Sequence, residues 1–248
     1  MEQQKSYVRV QQSWLAAKER ILLIAIAKAL PPPVKPDHLT LLGVVGSLLC
    51  GIGFAASGSS SLWLLLVFGG LLLNWFGDSL DGNLARVRRI ERPTYGFFVD
   101  HTSDILSQVL IFIGMAVSPN IRFQTGCLLL MSYWLAAMFT FIRTISARVF
   151  QISYYGIGPT EIRLGLMVYA LSLLTLGPTP IDTGFGIMSL MDIVAIGIFI
   201  AVTASFTFMA FLEARRLGSL EGGPVAVQFP PSQVSSGFGL ALTDKSAS

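Results

Sequence analysis

The chain has 248 residues, of which 53% are hydrophobic and only 12% charged, and its mean hydropathy is +0.67. A soluble domain carries roughly 25% charged residues, so this supply cannot cover the surface of a soluble globule, and a disordered chain would hold far less apolar material. The composition selects an integral membrane protein and excludes collagen-like, nucleic-acid-binding and disulfide-scaffold classes.

Reading from the N-terminus, no short apolar core with a small-residue cleavage site is present, so no cleavable signal peptide is expected. From Val8 to Leu30, apolar Trp14, Leu15, Ile21, Leu22 and Ile24 mix with Lys18, Glu19 and Arg20. That run is too polar at its start to cross a bilayer, and Pro31-Pro32-Pro33 stops it. It predicts an amphipathic helix lying in the membrane interface with its basic face toward anionic headgroups.

A helical span needs about 20 apolar residues. Six segments meet or approach this, at about 40–56, 61–81, 97–118, 123–145, 162–176 and 187–212. The fifth is short, and the third contains Asp100, His101 and Asp104. Cys50 and Cys127 fall in apolar stretches without CxxC spacing and read as buried small hydrophobes. The expected division is residues 1–39 as an N-terminal segment with the interfacial helix, 40–217 as a six-span domain and 218–248 as a disordered tail rich in Gly, Ser and Pro.

With six spans both termini share a side. Of the 17 Lys and Arg, all but Arg122 fall on that side, and basic loops stay cytoplasmic. Both termini are therefore expected to face the cytoplasm. An additional span before residue 40 would break this pattern.

The chemistry concentrates at the second and third spans. Asp78, Asp81, Asp100, Asp104 and Glu91 lie within 27 positions, out of 14 acidic residues in the chain. Asp78 and Asp81 are three apart and share a helix face, as do Asp100 and Asp104, four apart. A turn around Arg92-Pro93-Thr94 folds the two helices antiparallel, bringing the four carboxylates to similar depth. Carboxylates at membrane depth cost on the order of 3 kcal/mol each on insertion scales, so the cluster demands counter-charge. Oxygen-only ligands favour Mg²⁺ or Mn²⁺, which leave open positions for substrate phosphates. Gly82 and Gly96 allow close backbone approach, Ala85 adds a small face, and Arg86 can fork onto a diphosphate. Taken singly, each glycine has an ordinary use in helix packing, and each arginine in topology.

The pattern Asp78-x-x-Asp81-Gly82-x-x-Ala85-Arg86, nine residues, then Gly96-x-x-x-Asp100-x-x-x-Asp104 resembles the signature of the CDP-alcohol phosphatidyltransferases, with every fixed position filled. The resemblance covers about residues 8–216. It implies an all-α membrane enzyme of phospholipid synthesis, with six transmembrane helices after an interfacial helix, that moves a substituted phosphate from a CDP-linked donor to an alcohol acceptor and releases CMP. By the same resemblance Asp78, Asp81, Asp100 and Asp104 hold two divalent metals, and Gly82, Ala85, Arg86 and Gly96 line the cytidine diphosphate site. The resemblance also implies Asp104 as the general base, with His101, next to Asp100, as a competing base because imidazole side chains commonly serve in proton transfer. A homodimer with a site in each protomer, working on membrane lipids and with the site cytoplasmic, is also implied.

The donor is less constrained. "DHTSD" (residues 100–104) and "GPTEIR" (158–163) resemble the choline/ethanolamine phosphotransferase branch, which points to a CDP-amino alcohol reacting with diacylglycerol, with Glu161 favouring a cationic headgroup. Glu161 equally suits a helix N-terminus. The alternative is a CDP-diacylglycerol-dependent headgroup transferase using serine, glycerol phosphate or inositol phosphate, for which Arg143, Arg148 and Arg163 supply a basic pocket. A cation transporter is a remote alternative: intramembrane acids often mark ion pathways, but here they sit at helix ends beside a Gly/Ala/Arg set that a channel does not need.

Overall fold

The computed structural model describes residues 8–10, 16–147, 149–151, 158–184 and 186–220, with backbone alone at 8–10, 16–18, 147 and 149–151. In chain order it contains β1 (Val8–Val10), α1 (Ala16–Ala29), α2 (Pro36–Ala56), a short 3₁₀ turn (Ser61–Trp63), α3 (Leu64–Arg88), α4 (Pro93–Ala116), α5 (Phe123–Ala147), β2 (Val149–Gln151), α6 (Pro159–Leu176), β3 (Pro180–Asp182), β4 (Ile187–Ser189) and α7 (Leu190–Leu220). The protein is thus an all-α membrane protein with two minor strand pairs: β1 runs parallel to β2, and β3 antiparallel to β4.

Among the described residues, five helical stretches are long and apolar enough to cross a membrane: Pro36–Ala56, Ser61–Arg88, Phe123–Ser146, Pro159–Leu176 and Leu190–Leu220. The expected third span, α4, has the length at 24 residues. It falls short in apolarity because Asp100, His101, Asp104 and Gln108 stand in it. Helices extend beyond the expected spans wherever polar residues continue the turn: α3 runs on through Asp81 to Arg88, and α6 starts at Pro159, ahead of Arg163. Hydropathy marks the part of a helix suited to hydrocarbon, whereas backbone hydrogen bonds set its length.

Three local expectations are corrected. The N-terminal helix begins at Ala16, and the β-branched alternation Val8-Arg9-Val10 forms a strand instead. Residues 187–189, assigned to the sixth span, form β4 before α7 starts. Residues 218–220, expected to open the tail, are helical as the end of α7; residues 221–248 lie outside those described.

Contacts divide the chain into a unit Met1–Phe208 and a unit Met209–Ser248. The described part of the second unit is the last turns of α7, where Arg216 Nη2 pairs with Glu213 Oε1 at 2.6 Å and the Arg215 guanidinium stands 4.8 Å from the Phe211 ring.

In the first unit, α2 is the central element and packs against both α3 and α4, which touch each other little. Glycine makes this possible. A Cβ on Gly46 would lie 2.5 Å from Asn74 N, one on Gly70 2.5 Å from Cys50 N, and one on Gly114 2.3 Å from Gly51 Cα, so at these points backbone meets backbone. One apolar core gathers Cys50, Phe54, Val67, Leu71, Phe112 and Met115 with Leu166 and Ala170. A second joins α1 to the site-bearing end of the bundle through Leu23, Ala27, Leu39, Leu80 and Leu84. Outward Leu41, Leu65, Leu72, Leu106, Val168 and Ile200 are exposed, as a lipid-facing surface requires. Cys50 is buried, Cys127 is half-buried, and both are free.

Arginines treated as topological also have local partners. Arg88 donates to the carbonyls of Leu30 and Pro31 at 2.9 and 2.8 Å and to that of Val34, tying the proline turn to the end of α3. Arg92, which precedes α4, donates to both Asp37 oxygens at 2.6 and 2.9 Å, and that carboxylate pushes the guanidinium pKa further up. At the opposite end of the bundle Asp192 accepts from the backbone N–H groups of Arg122 and Ser189, each at 2.8 Å, and from the Thr125 hydroxyl. It thereby caps the starts of α5 and α7 together.

Replacing Gly46 by Val drives a side chain into the α3 backbone. Overpacking of this kind costs about 1–3 kcal/mol or more, so the variant should melt lower in detergent, while Gly165→Ala, whose added methyl meets nothing within 4 Å, should melt with the parent.

Candidate active site

α3 and α4 bring their polar ends side by side. One oxygen from each of Asp78, Asp100 and Asp104 lies within 4.8 Å of the other two, and all three residues are half-buried. Asp78 and Asp104 reach this point from different helices because Arg89, whose φ of 56° and ψ of 39° lie in the left-handed region, closes α3, and Pro93 restarts the chain as α4 after Ile90, Glu91 and Arg92. Asp81 does not join the trio. It is 8% exposed, its Oδ2 accepts from Thr40 Oγ1 at 2.6 Å and its Oδ1 from the Gly82 N–H, while it remains within electrostatic reach of Asp78 and Asp100.

Counter-charge comes from α6. Arg163 Nη2 forms an ion pair with Asp78 Oδ2, and its Nε donates to Asn74 Oδ1 at 2.6 Å. Asn74 is 2% exposed and is held in turn by donating through Nδ2 to Ser47 Oγ at 2.8 Å and to the Gly43 carbonyl at 3.2 Å. A relay thus runs from α2 through α3 to α6 and aims the guanidinium at a site carboxylate. Beside it, Glu19 of α1 accepts from Trp75 Nε1 at 2.6 Å and from Thr160 Oγ1 at 2.9 Å. These two donors flank Asn74 in α3 and Arg163 in α6, so α1 clamps both arms of the relay.

The small residues of the motif are open. A Cβ on Gly82 would meet only the Arg86 guanidinium at 3.6 Å, and one on Gly96 would meet nothing within 4 Å. Neither glycine is required for packing, in contrast to Gly46, Gly70 and Gly114. Arg86 is exposed, its Nη2 3.1 Å from Asn83 Oδ1, and Ala85 is half-buried on the same helix.

The remaining candidates are dispersed. His101 lies outside the carboxylate trio: its Nδ1 is 2.8 Å from the Phe97 carbonyl and 3.6 Å from Asp100 Oδ2, and its ring stacks on Phe97 at 4.1 Å. Glu161 Oε2 accepts from the Gly158 N–H at 2.9 Å, the helix-start role. Arg143 is half-buried on α5, 5.9 Å from the Phe139 ring centre, and Arg148 lies outside the described residues. Asn74, Ser47 and Glu19 were not anticipated. Asn74 stands four residues before Asp78, on the same face, and that polar spacing inside an apolar run was the available signal.

The family model of the CDP-alcohol phosphatidyltransferases matches residues 34–211. The chain belongs to this family. As a phosphatidyltransferase it is 32% identical over 161 residues to an uncharacterized protein of Aquifex aeolicus, covering 58% of this chain and 76% of that one. It is 38% identical over 98 residues to an archaetidylinositol phosphate synthase of Methanothermobacter thermautotrophicus, covering 39% of this chain and 46% of that protein. It is also 34% identical over 89 residues to a phosphatidylinositol phosphate synthase of Cutibacterium acnes, covering 34% and 38%. The chain spans half or less of the length of these two named relatives.

Asn74→Leu removes the acceptor of Arg163 Nε, while Ser47 Oγ keeps its hydrogen bond to the Gly43 carbonyl. A buried polar group left unpaired costs about 1–3 kcal/mol, so the thermal midpoint in detergent should fall by roughly 5 °C, with a larger loss of transferase rate than Gly46→Val produces at equal destabilisation.

Proposed function

We propose that this phosphatidyltransferase joins a CDP-linked diacyl lipid to a polyol phosphate, of which inositol phosphate is the leading candidate, with release of CMP. The observation that carries the reading is the oxygen-only trio of Asp78, Asp100 and Asp104 beside the open backbone at Gly82 and Gly96. The names of two relatives, an archaetidylinositol phosphate synthase and a phosphatidylinositol phosphate synthase, support this acceptor class. Glu161, engaged at the start of α6, lends no support to a cationic headgroup.

The donor set fits a hard divalent cation, Mg²⁺ or Mn²⁺, held by Asp78, Asp100 and Asp104 and bordered by Asp81. When bound, such an ion neutralises charge on the diphosphate and on departing CMP. The residues of the chain do the rest. Gly82, Ala85 and Gly96 leave room for the cytidine diphosphate, and Arg86 forks onto its oxygens. Asp104 takes the proton of the acceptor hydroxyl as that oxygen attacks the phosphorus bearing the lipid; the new P–O bond forms, the P–O bond to CMP breaks, and CMP departs. Asp104 is preferred to His101 because it belongs to the trio, whereas the His101 ring is directed to Phe97. The excess of Lys and Arg on the terminal side supports a cytoplasmic site within residues 40–217.

The deciding assay is CMP release by purified protein in mixed micelles from CDP-diacylglycerol with inositol phosphate. Release that requires Mg²⁺ or Mn²⁺ and stops with EDTA is expected, and activity with CDP-choline and diacylglycerol alone would overturn the proposal. Asp104→Asn should lower transfer by at least about 100-fold with an unchanged melting profile. Gly82→Ala meets no clash, so it should fold normally and raise the KM for the CDP donor by roughly tenfold without altering that for the acceptor.

A further inference from the structure

The polar face of α4 continues past Asp104. Gln108 follows four residues later, a rise of about 6 Å, with Ser107 beside it, and both are at least nine-tenths buried. They line a cavity of about 40 Å³ together with Asn74 of α3, Tyr133 of α5 and Arg163 of α6. Asp104 and Arg163 also belong to the carboxylate site, so the cavity opens from that site into the bundle. Asn74 is fully committed to Arg163, Ser47 and Gly43. Gln108 Oε1 is not: it is buried with no hydrogen-bond partner, and a buried acceptor of this kind calls for a donor.

The surroundings define that donor. An ammonium group would meet the Arg163 guanidinium, and a phosphate or carboxylate would meet Asp104 and has no proton to give. An acyl chain would leave Oε1 as it is. A neutral hydroxyl suits the polar neighbours, since it can donate to Gln108 Oε1 and accept from the Tyr133 O–H, while its carbon skeleton meets the apolar Ile111, Phe112 and Leu166 of the same lining. At roughly 10–15 Å³ for each water-sized group, the cavity admits about three of them, which suits one edge of a polyol and is too small for a whole ring.

We infer that this cavity receives the hydroxyl-bearing edge of the acceptor, with Gln108 as a specificity-determining residue that reads a hydroxyl next to the one that reacts. The inference rests on the polyol phosphate reading given above. It places the reacting hydroxyl at Asp104 and its neighbours one turn deeper, so that recognition and proton removal share one helix face.

The test measures KM and kcat in mixed micelles with CDP-diacylglycerol as donor, using inositol phosphate and its analogue lacking the hydroxyl adjacent to the reacting one. Wild type should lose at least about tenfold in kcat/KM on the deoxy analogue. Gln108→Leu should lose a similar factor on inositol phosphate, expressed in acceptor KM with donor KM within twofold, and should no longer distinguish the two acceptors. Tyr133→Phe, which removes a single oxygen, provides the same reading if Gln108→Leu folds poorly. Retention of full discrimination by either folded variant, or an equal rise in donor KM, overturns the inference. Absence of metal-dependent CMP release by wild type with any polyol phosphate would defeat the acceptor reading itself, and it would show before any variant is made.

Discussion

Bringing three carboxylates within 4.8 Å of one another at the polar end of a membrane bundle is the constraint on which the rest of this structure depends. Like charges at that spacing repel, and the apolar surroundings weaken the screening that water would give. Arg163 answers part of the demand with one positive charge on Asp78. A long, flexible guanidinium stays in one place only if its other donors are engaged, and Asn74 engages Nε, itself anchored by Ser47 and Gly43. Glu19 then secures the neighbours Trp75 and Thr160. Four helices, α1, α2, α3 and α6, are thus recruited to stabilise carboxylates carried by two, α3 and α4. The charge left uncompensated is what equips the site for a divalent cation.

Much of this was legible in the chain. Six apolar segments correspond to α2 through α7, and of the eight signature positions Asp78, Asp100 and Asp104 draw together while Gly82 and Gly96 face open space. Legibility failed where meaning depends on a partner far away in sequence. Arg163 reads equally as a topological charge or a phosphate ligand until the register of α6 against α3 is known; 85 residues separate it from Asp78. Asp81 has the spacing of a site residue, yet Thr40, on another helix, holds its carboxylate. Asn74 and Gln108 are single amides in apolar runs, and no local pattern tells which cavity or guanidinium they face. Glu19 looked like one more charge on an interfacial helix.

Glycine shows the same limit in another form. Gly46, Gly70, Gly77 and Gly114 lie where an added Cβ would strike a neighbouring backbone, whereas Gly82 and Gly96 border open space. The letters are identical and the physics opposite: one group excludes side chains so that helices can touch, and the other excludes them so that something else can approach. Sorting the two groups needed coordinates, although the motif had singled out the second.

The backbone contact of α2 with α3 and α4 has a mechanical consequence. Helices separated by flexible side chains can slide past one another when the bilayer thins or thickens, but helices locked through Gly46, Gly70, Gly51 and Gly114 share a single tilt. Hydrophobic mismatch is met by tilting, by snorkelling of flanking residues or by deformation of the lipid, at fractions of a kcal/mol per Å. Here the compliant parts are the lipid and the outer helices, while α2, α3 and α4 lean as one plate. Carboxylates carried by that plate keep their mutual spacing in thin and thick membranes alike.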